Sequence, residues 1–324
     1  MIELSQIRKP LEKQMIEFDT LFKQSLSNDI DIVESLSNYA MTMQGKQMRP
    51  LFLFLSAALH GTINEKCYDS AIFIELIHTA SLIHDDVVDE AFMRRGKWSI
   101  GTLERSKLAV LFGDYVLSRG LKIAVKSQLY ETIEMMSDII EQMSVGELLQ
   151  SSHAIKLDTT TAQYYDIVRR KTALLLASCG ASGAIAAGGN REDRDRMFLF
   201  GEKLGVAFQI KDDILDFTTS SKTGKIACND LKERKLTLPI LSILEKSSGK
   251  ERKLLLSLIR SARESEKSAE KIREVVINGG GIENAIEQMD KLKQEALEIL
   301  EHYPDSEIKE SLRLYTEFIL NRTK

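Results

Sequence analysis

Proline is scarce in this chain. There are four among 324 residues, Pro10, Pro50, Pro239 and Pro304, so long intervals are left free for uninterrupted helices. Cysteine is scarce too: Cys67, Cys179 and Cys228 are odd in number and far apart. They form no disulfide framework and no Cys-x-x-Cys or Cys/His metal spacing, which leads us to expect a reduced, cytoplasmic compartment. The opening residues, Met-Ile-Glu-Leu-Ser-Gln, lack a signal-peptide pattern. There is no dense basic block and the net charge is −4, which argues against a nucleic-acid partner. Strand-type alternation is nowhere sustained. Low-complexity linkers and tandem repeats are also missing. The most apolar run, 172–189, just reaches the length of a bilayer crossing. It follows a charged segment and carries closely spaced glycines, so it reads as a buried helix rather than an integral membrane segment.

What is present is enough apolar material for a large core, 43% hydrophobic against 28% charged residues. Ile7, Leu11, Met15, Phe18 and Phe22 show helical spacing, and Asn28-Asp29 breaks it. A second helix is expected over 32–43, then a loop up to Pro50, which suits a first helical turn. Residues 51–60 are nearly all apolar and should form a central helix. A long helix is expected from Cys67 to about Phe92, with further helices over 106–126, 131–151, 160–188 and 193–217. Residues 218–235 read as a loop, and helical spacing returns from Pro239 onward. The expected architecture is a single all-α domain over residues 1–324.

Two acidic clusters interrupt the apolar pattern. Asp85, Asp86 and Asp89 form the first, and Asp212, Asp213 and Asp216 repeat the same Asp-Asp-x-x-Asp spacing. On a helix, residues four apart share a face, so Asp85 and Asp89 point the same way with Asp86 beside them. Carboxylates this close repel unless a cation joins them. Charges on an apolar face are costly unless they meet a cavity and bind something. Hard ions with oxygen ligands, chiefly Mg²⁺, are the natural partner, and Mg²⁺ often adds substrate phosphates to a few carboxylates. Two facing clusters would hold several such ions around one diphosphate and neutralise charge as it departs.

Basic residues stand beside the acids. Lys46 and Arg49 precede Pro50; Arg94 and Arg95 follow the first cluster; Lys171-Thr172 begins the Ala/Gly-rich run; Lys225, Lys232, Arg234 and Lys235 follow the second cluster. Each taken alone reads first as a solvated surface charge; beside the acidic motifs, such cations suit a phosphate clamp. His78 lies two helical turns before Asp85 on the same face, where a core role and a ligand role are both open.

Read together, these segments resemble the trans-isoprenyl diphosphate synthases. The matching pieces, in order, are the Gly45-Lys46-x-x-Arg49-Pro50 loop, HDDVVDEAFMRRG, KTALL, GVAFQIKDDILDF and TGKIACNDLKERKLTLP. The resemblance runs through the chain to Asn321-Arg322. It implies a helical bundle around a deep central cavity, usually a homodimer, and sequential condensation of isopentenyl diphosphate onto an allylic diphosphate. By matched position, Asp85 and Asp89, with Asp86 in support, would hold Mg²⁺ against the allylic diphosphate. Asp212, with Asp213 and Asp216, would hold a further ion from the opposite wall, for three Mg²⁺ per active site. Asp85, Asp89 and Asp212 are the implied metal ligands, and Lys171 is counted with the six aspartates as catalytic. Arg94, Lys171, Thr172, Gln209, Lys225 and Lys235 would bind the allylic diphosphate. Lys46, Arg49, His78 and Arg95 would bind isopentenyl diphosphate.

Three positions depart from the family pattern: Gln47 where Arg is common, and Cys228 and Arg234 where glycines are common. Ala80 and Ser81, one turn before Asp85, are small where short-chain enzymes often place bulky aromatics. A long tunnel and a long-chain, octaprenyl-like product for quinone side chains are therefore expected, with Met135 or Met136 as floor candidates. At most a peripheral membrane contact at product release is expected. A geranylgeranyl or other shorter-chain synthase is the alternative; a terpene cyclase or a silent partner subunit fits two intact aspartate motifs less well.

Overall fold

The structure is a computed structural model, and it describes residues 2–104, 106–218 and 228–321. An N-terminal arm holds α1 (Leu4–Arg8), a 3₁₀ turn (Lys9–Leu11), α2 (Glu12–Leu26) and α3 (Asp31–Thr42). Next come α4 (Met48–His60) and α5 (Glu65–Val88), then a minimal hairpin of β1 (Met93–Arg94) and β2 (Lys97–Trp98). The middle of the chain supplies α6 (Ile100–Glu104), α7 (Ser106–Lys126), α8 (Tyr130–Lys156) and α9 (Thr161–Val168), then a π-helical turn (Arg169–Ala173) that leads into α10 (Leu174–Ala186). Then follow α11 (Arg191–Thr218) and α12 (Asn229–Lys232). The C-terminal part adds α13 (Leu238–Lys246), α14 (Gly249–Ser261), α15 (Glu266–Asn278), α16 (Gly281–Leu300) and α17 (Glu307–Leu320).

The all-α expectation holds, with two-residue strands as the exception. The N-terminal stripe Ile7, Leu11, Met15, Phe18 and Phe22 is buried throughout. Helix α4 is buried from Pro50 to Ala57, as its uniform apolarity requires. It packs on α10, whose small residues let both α4 and α11 approach. The apolar run at 172–189 is thus interior, and no described helix is long and apolar enough to cross a membrane.

Four boundaries differ from expectation. Helix α5 stops at Val88, not Phe92, because Asp89 caps it and Glu90 takes a φ of +49°. The chain then turns through Arg95 (φ +51°) and Gly96 (φ +78°), the pair of left-handed residues that a tight hairpin needs. The stretch 160–188 is broken by its π turn, and α8 continues to Lys156. The loop-like segment 218–235 contains α12.

Candidate active site

The first acidic cluster sits on the last turn of α5, and its three carboxylates have different surroundings. Asp85 is half-buried. Burial pushes its carboxyl pKa up, Glu147 on α8 and then Asp89 add to the rise, and Lys171 and Arg94 oppose it. Asp86 is only 6% exposed. It accepts from Arg94 Nε at 2.8 and 3.0 Å and from Nη2 at 2.8 Å, a bidentate charge-assisted pair that ties the hairpin to α5. Asp89 is exposed at the helix end.

The second cluster rides on the last turns of α11. Asp212 is half-buried. Asp213 is 2% exposed and accepts from the Tyr164 hydroxyl at 2.5 Å and from Gln209 Nε2 at 3.1 Å. Burial, with Asp230 nearby, pushes its pKa up to about 8. Asp216 accepts from the backbone N–H groups of Asn229 (2.9 Å) and Asp230 (3.2 Å), so it caps α12. Asp230 is itself pushed up to about 6, first by burial and then by Asp216.

Between the clusters lies the π turn that carries Lys171 and Thr172. An extra residue in a helical turn re-aims side chains, and such turns recur at functional sites. Gly205 of α11 makes the close approach possible: a Cβ there would lie 2.6 Å from the Ala173 Cα. Lys171 Nζ pairs with Glu147 at 2.5 Å and donates to Gln150 Oε1 at 2.8 Å. The Thr172 hydroxyl donates to Gln209 Oε1 at 3.0 Å. Lys171, Thr172, Gln209, Asp213, Asp230 and Lys235 line one small cavity of about 100 Å³. Lys235 is paired with Glu233 at 2.5 Å.

A larger cavity of about 550 Å³ lies against α5 and shares Thr172 with the small one. Lys46, Arg49, Glu75, His78, Arg94 and Arg95 are its charged and titratable lining, and Asp86 and Thr172 also reach it. The four residues expected to serve isopentenyl diphosphate therefore share one wall system. Arg94, expected with the allylic group, lines this cavity as well. His78 is 9% exposed. Burial, then Arg49 and Arg95, hold its pKa well below the usual imidazole range, so it is neutral. Arg95 Nη1 donates to the Met43 carbonyl at 2.8 Å, and its guanidinium lies over Gly45, where a Cβ would come within 2.5 Å of Nη1. Lys46 Nζ lies 5.0 Å from the centre of the Phe318 ring. Gln47, in a left-handed conformation (φ +52°), turns its amide toward Asp19. The C-terminal helix α17 thus completes the wall, with Tyr315 donating to the Met48 carbonyl at 2.9 Å.

Ala80 is buried, and the Ser81 hydroxyl donates to the His78 carbonyl at 2.9 Å; neither lines the two cavities. Met136 is fully buried on α8, while Met135 lines a separate cavity of about 450 Å³. Lys225 lies outside the described residues. Among the described residues, no three His, Cys, Asp or Glu side chains enclose a single point. The donor set instead fits an ion held by one or two carboxylates, with substrate oxygens and water completing the shell, as Mg²⁺ prefers.

Sequence reasoning missed Glu75, Glu147, Gln150, Tyr164 and Asp230. Glu147 and Gln150 share a face of α8 three residues apart, a legible signal. Tyr164 had no local signal.

A family model described as polyprenyl synthetase matches residues 30–276. The chain is similar to an all-trans-nonaprenyl-diphosphate synthase (geranyl-diphosphate specific) of Rhodobacter capsulatus, with 32% identity over 98% of this chain and 97% of that one. It is also 31% identical to a short chain isoprenyl diphosphate synthase of Methanothermobacter thermautotrophicus, over 94% of this chain and 98% of that one. The crystal structure of a polyprenyl synthase from Caulobacter crescentus, complexed with calcium and isoprenyl diphosphate, superposes with a TM-score of 0.91 at 28% identity, covering 99% and 98% of the two chains. With this fold, two aspartate motifs and a matching family over most of its length, the chain belongs to the polyprenyl synthetase family and is a transferase, a trans-prenyl diphosphate synthase.

Proposed function

We propose that this enzyme condenses isopentenyl diphosphate repeatedly onto an allylic diphosphate, such as farnesyl diphosphate, to give a long-chain, octaprenyl-like product for quinone side chains. The observation that carries the chain length is the pair of small residues, Ala80 and Ser81, one turn before Asp85 on α5. No bulky aromatic stands there to stop a growing chain.

In this reading Asp85, Asp89 and Asp212 hold divalent ions, three Mg²⁺ per active site, while Asp86, Asp213 and Asp216 keep the two walls in place. Bound Mg²⁺ supplies charge neutralisation for the allylic diphosphate and its leaving group. The Caulobacter crescentus polyprenyl synthase is complexed with calcium, which like Mg²⁺ is a hard cation bound through oxygen. Arg94, Lys171, Gln209, Lys225 and Lys235 grip the allylic diphosphate, with Thr172 orienting Gln209. Lys46, Arg49 and Arg95 grip the isopentenyl diphosphate, and neutral His78 offers it a hydrogen bond. The allylic C–O bond would ionise with its electron pair passing to the diphosphate, the isopentenyl double bond would attack the cation, and the proton lost from the isopentenyl carbon would pass to the released diphosphate. No protein nucleophile is used; positioning, charge neutralisation and exclusion of water do the catalysis.

Mass spectrometry of the product made from farnesyl diphosphate checks this reading: an octaprenyl-sized product is expected, and a geranylgeranyl product overturns the long-chain assignment. Ala80→Phe is expected to shorten the product, and an unchanged length overturns the tunnel. We also propose a cytoplasmic homodimer. Its support is the apolar face that α7 and α8 leave exposed, with Leu111, Val125, Leu148 and Ile155 each more than half exposed. Sedimentation equilibrium checks it, and a monomer at micromolar concentration overturns it.

A further inference from the structure

Two acids, Glu75 and Asp86, line a cavity rich in cations, and Asp86 is already paired with Arg94. Glu75 lies on α5 one turn before His78 and lines the cavity of about 550 Å³ with Lys46, Arg49, Arg94 and Arg95. Its Oε2 is buried and has no hydrogen-bond partner among the described residues. Buried carboxylate oxygens left without a donor are costly and ask for an explanation. A second buried orphan stands in the same cavity: Arg49 Nε, at the start of α4, also lacks a partner among the described residues. Arg95 differs, because its guanidinium is already held by the Met43 carbonyl. Burial pushes the Glu75 carboxyl pKa up, and Arg49, then Arg95, oppose that rise. One cavity therefore holds an unfilled acceptor and an unfilled donor among the described residues.

We propose that Glu75 is a positioning residue that captures Arg49 through Nε when isopentenyl diphosphate enters, leaving the terminal guanidinium nitrogens to grip the diphosphate. The proposal rests on the reading of this cavity as the isopentenyl diphosphate site. An Arg fork is useful only when its plane is fixed, and a carboxylate behind Nε fixes it. The carboxylate also offsets part of the mutual repulsion of Arg49 and Arg95, which converge on the same space.

A double-mutant cycle on the full chain tests it. Isopentenyl diphosphate alone, in the presence of Mg²⁺, is titrated calorimetrically into the wild type, Glu75→Gln, Arg49→Ala and the double variant. Glu75→Gln is expected to weaken binding about ten- to hundredfold, the scale of a hydrogen bond to a charged group. In the Arg49→Ala background the same change is expected to cost less than about twofold. The KM for the allylic substrate should stay within about twofold in Glu75→Gln, since a general loss of structure would move both substrates. Unchanged binding in Glu75→Gln, or equal losses in both backgrounds, overturns the capture. If Arg49→Ala and Arg95→Ala both leave isopentenyl diphosphate affinity unchanged, the site assignment itself fails, a distinct outcome. Should Glu75→Gln not fold, Glu75→Asp goes through the same cycle, with a loss expected only where Arg49 is present.

Discussion

The two aspartate clusters have the same letters at the same spacing, yet the fold uses them differently. In both, the middle carboxylate is buried and occupied: Asp86 by Arg94, Asp213 by Tyr164 and Gln209. Only the third position diverges. Asp89 is exposed at the end of α5, whereas Asp216 receives two backbone N–H groups and caps α12. The first cluster therefore ends in solvent and the second is tied to the segment that follows it. Helical spacing sets only the direction of a side chain. What the side chain meets there decides whether it serves a ligand or the scaffold.

That contrast can be broken most forcefully at the leading positions. Asp85→Ala and Asp212→Ala should each cost at least about 10²-fold in turnover, with unfolding free energy changed by about 1 kcal/mol or less. Incorporation of radiolabelled isopentenyl diphosphate and chemical denaturation read the two quantities. Near-normal turnover in either variant would remove that residue from the metal clamp.

The middle positions should respond in stability as well. Asp86→Ala strands the partly buried Arg94 and is expected to lower the unfolding free energy by about 1–3 kcal/mol, read from urea melts. Asp213 answers to pH. Its carboxyl holds a proton up to about 8 in the folded chain, against an ordinary aspartate value of 3.8. The folded state thus binds more protons between those values. Asp213's contribution to stability is fully present below about pH 4 and is lost as pH rises toward about 8. In chelator, the stability of the wild type relative to Asp213→Asn should therefore fall across that window. A flat difference would show that the proton is not held there.

The smallest effect is expected beyond the second cluster. Arg234 adopts φ +61°, in the left-handed region. Arg234→Gly should be about 1 kcal/mol more stable than Arg234→Ala, because only glycine adopts the left-handed region without cost. Equal stability of the two would mean that the backbone there relaxes.

Much of the site is legible in the amino-acid sequence. Both acidic clusters, Lys171-Thr172 and the Lys46–Arg49 loop announce themselves by residue type and spacing. The helical periodicity of α2 and the uniform apolarity of α4 also indicate which of their residues are buried, since burial of an apolar face is a local consequence of the pattern. Less local matters are not legible. The π turn under Lys171 depends on Gly205 bringing α11 close to Ala173, a contact between distant segments. The early end of α5 depends on a hairpin held by Arg94 on Asp86.

An all-helical chain, the positions of its two carboxylate clusters and the basic residues beside them follow from period, charge and residue chemistry, and so are written in the order of the residues. Packing settles the rest: which carboxylates are buried against partners, that α17 closes the larger cavity, and that Glu75 Oε2 and Arg49 Nε lack partners among the described residues. Those outcomes depend on burial and on partners far apart in the chain. Hydrogen bonding in a low-dielectric interior is decided by such neighbours and not by spacing.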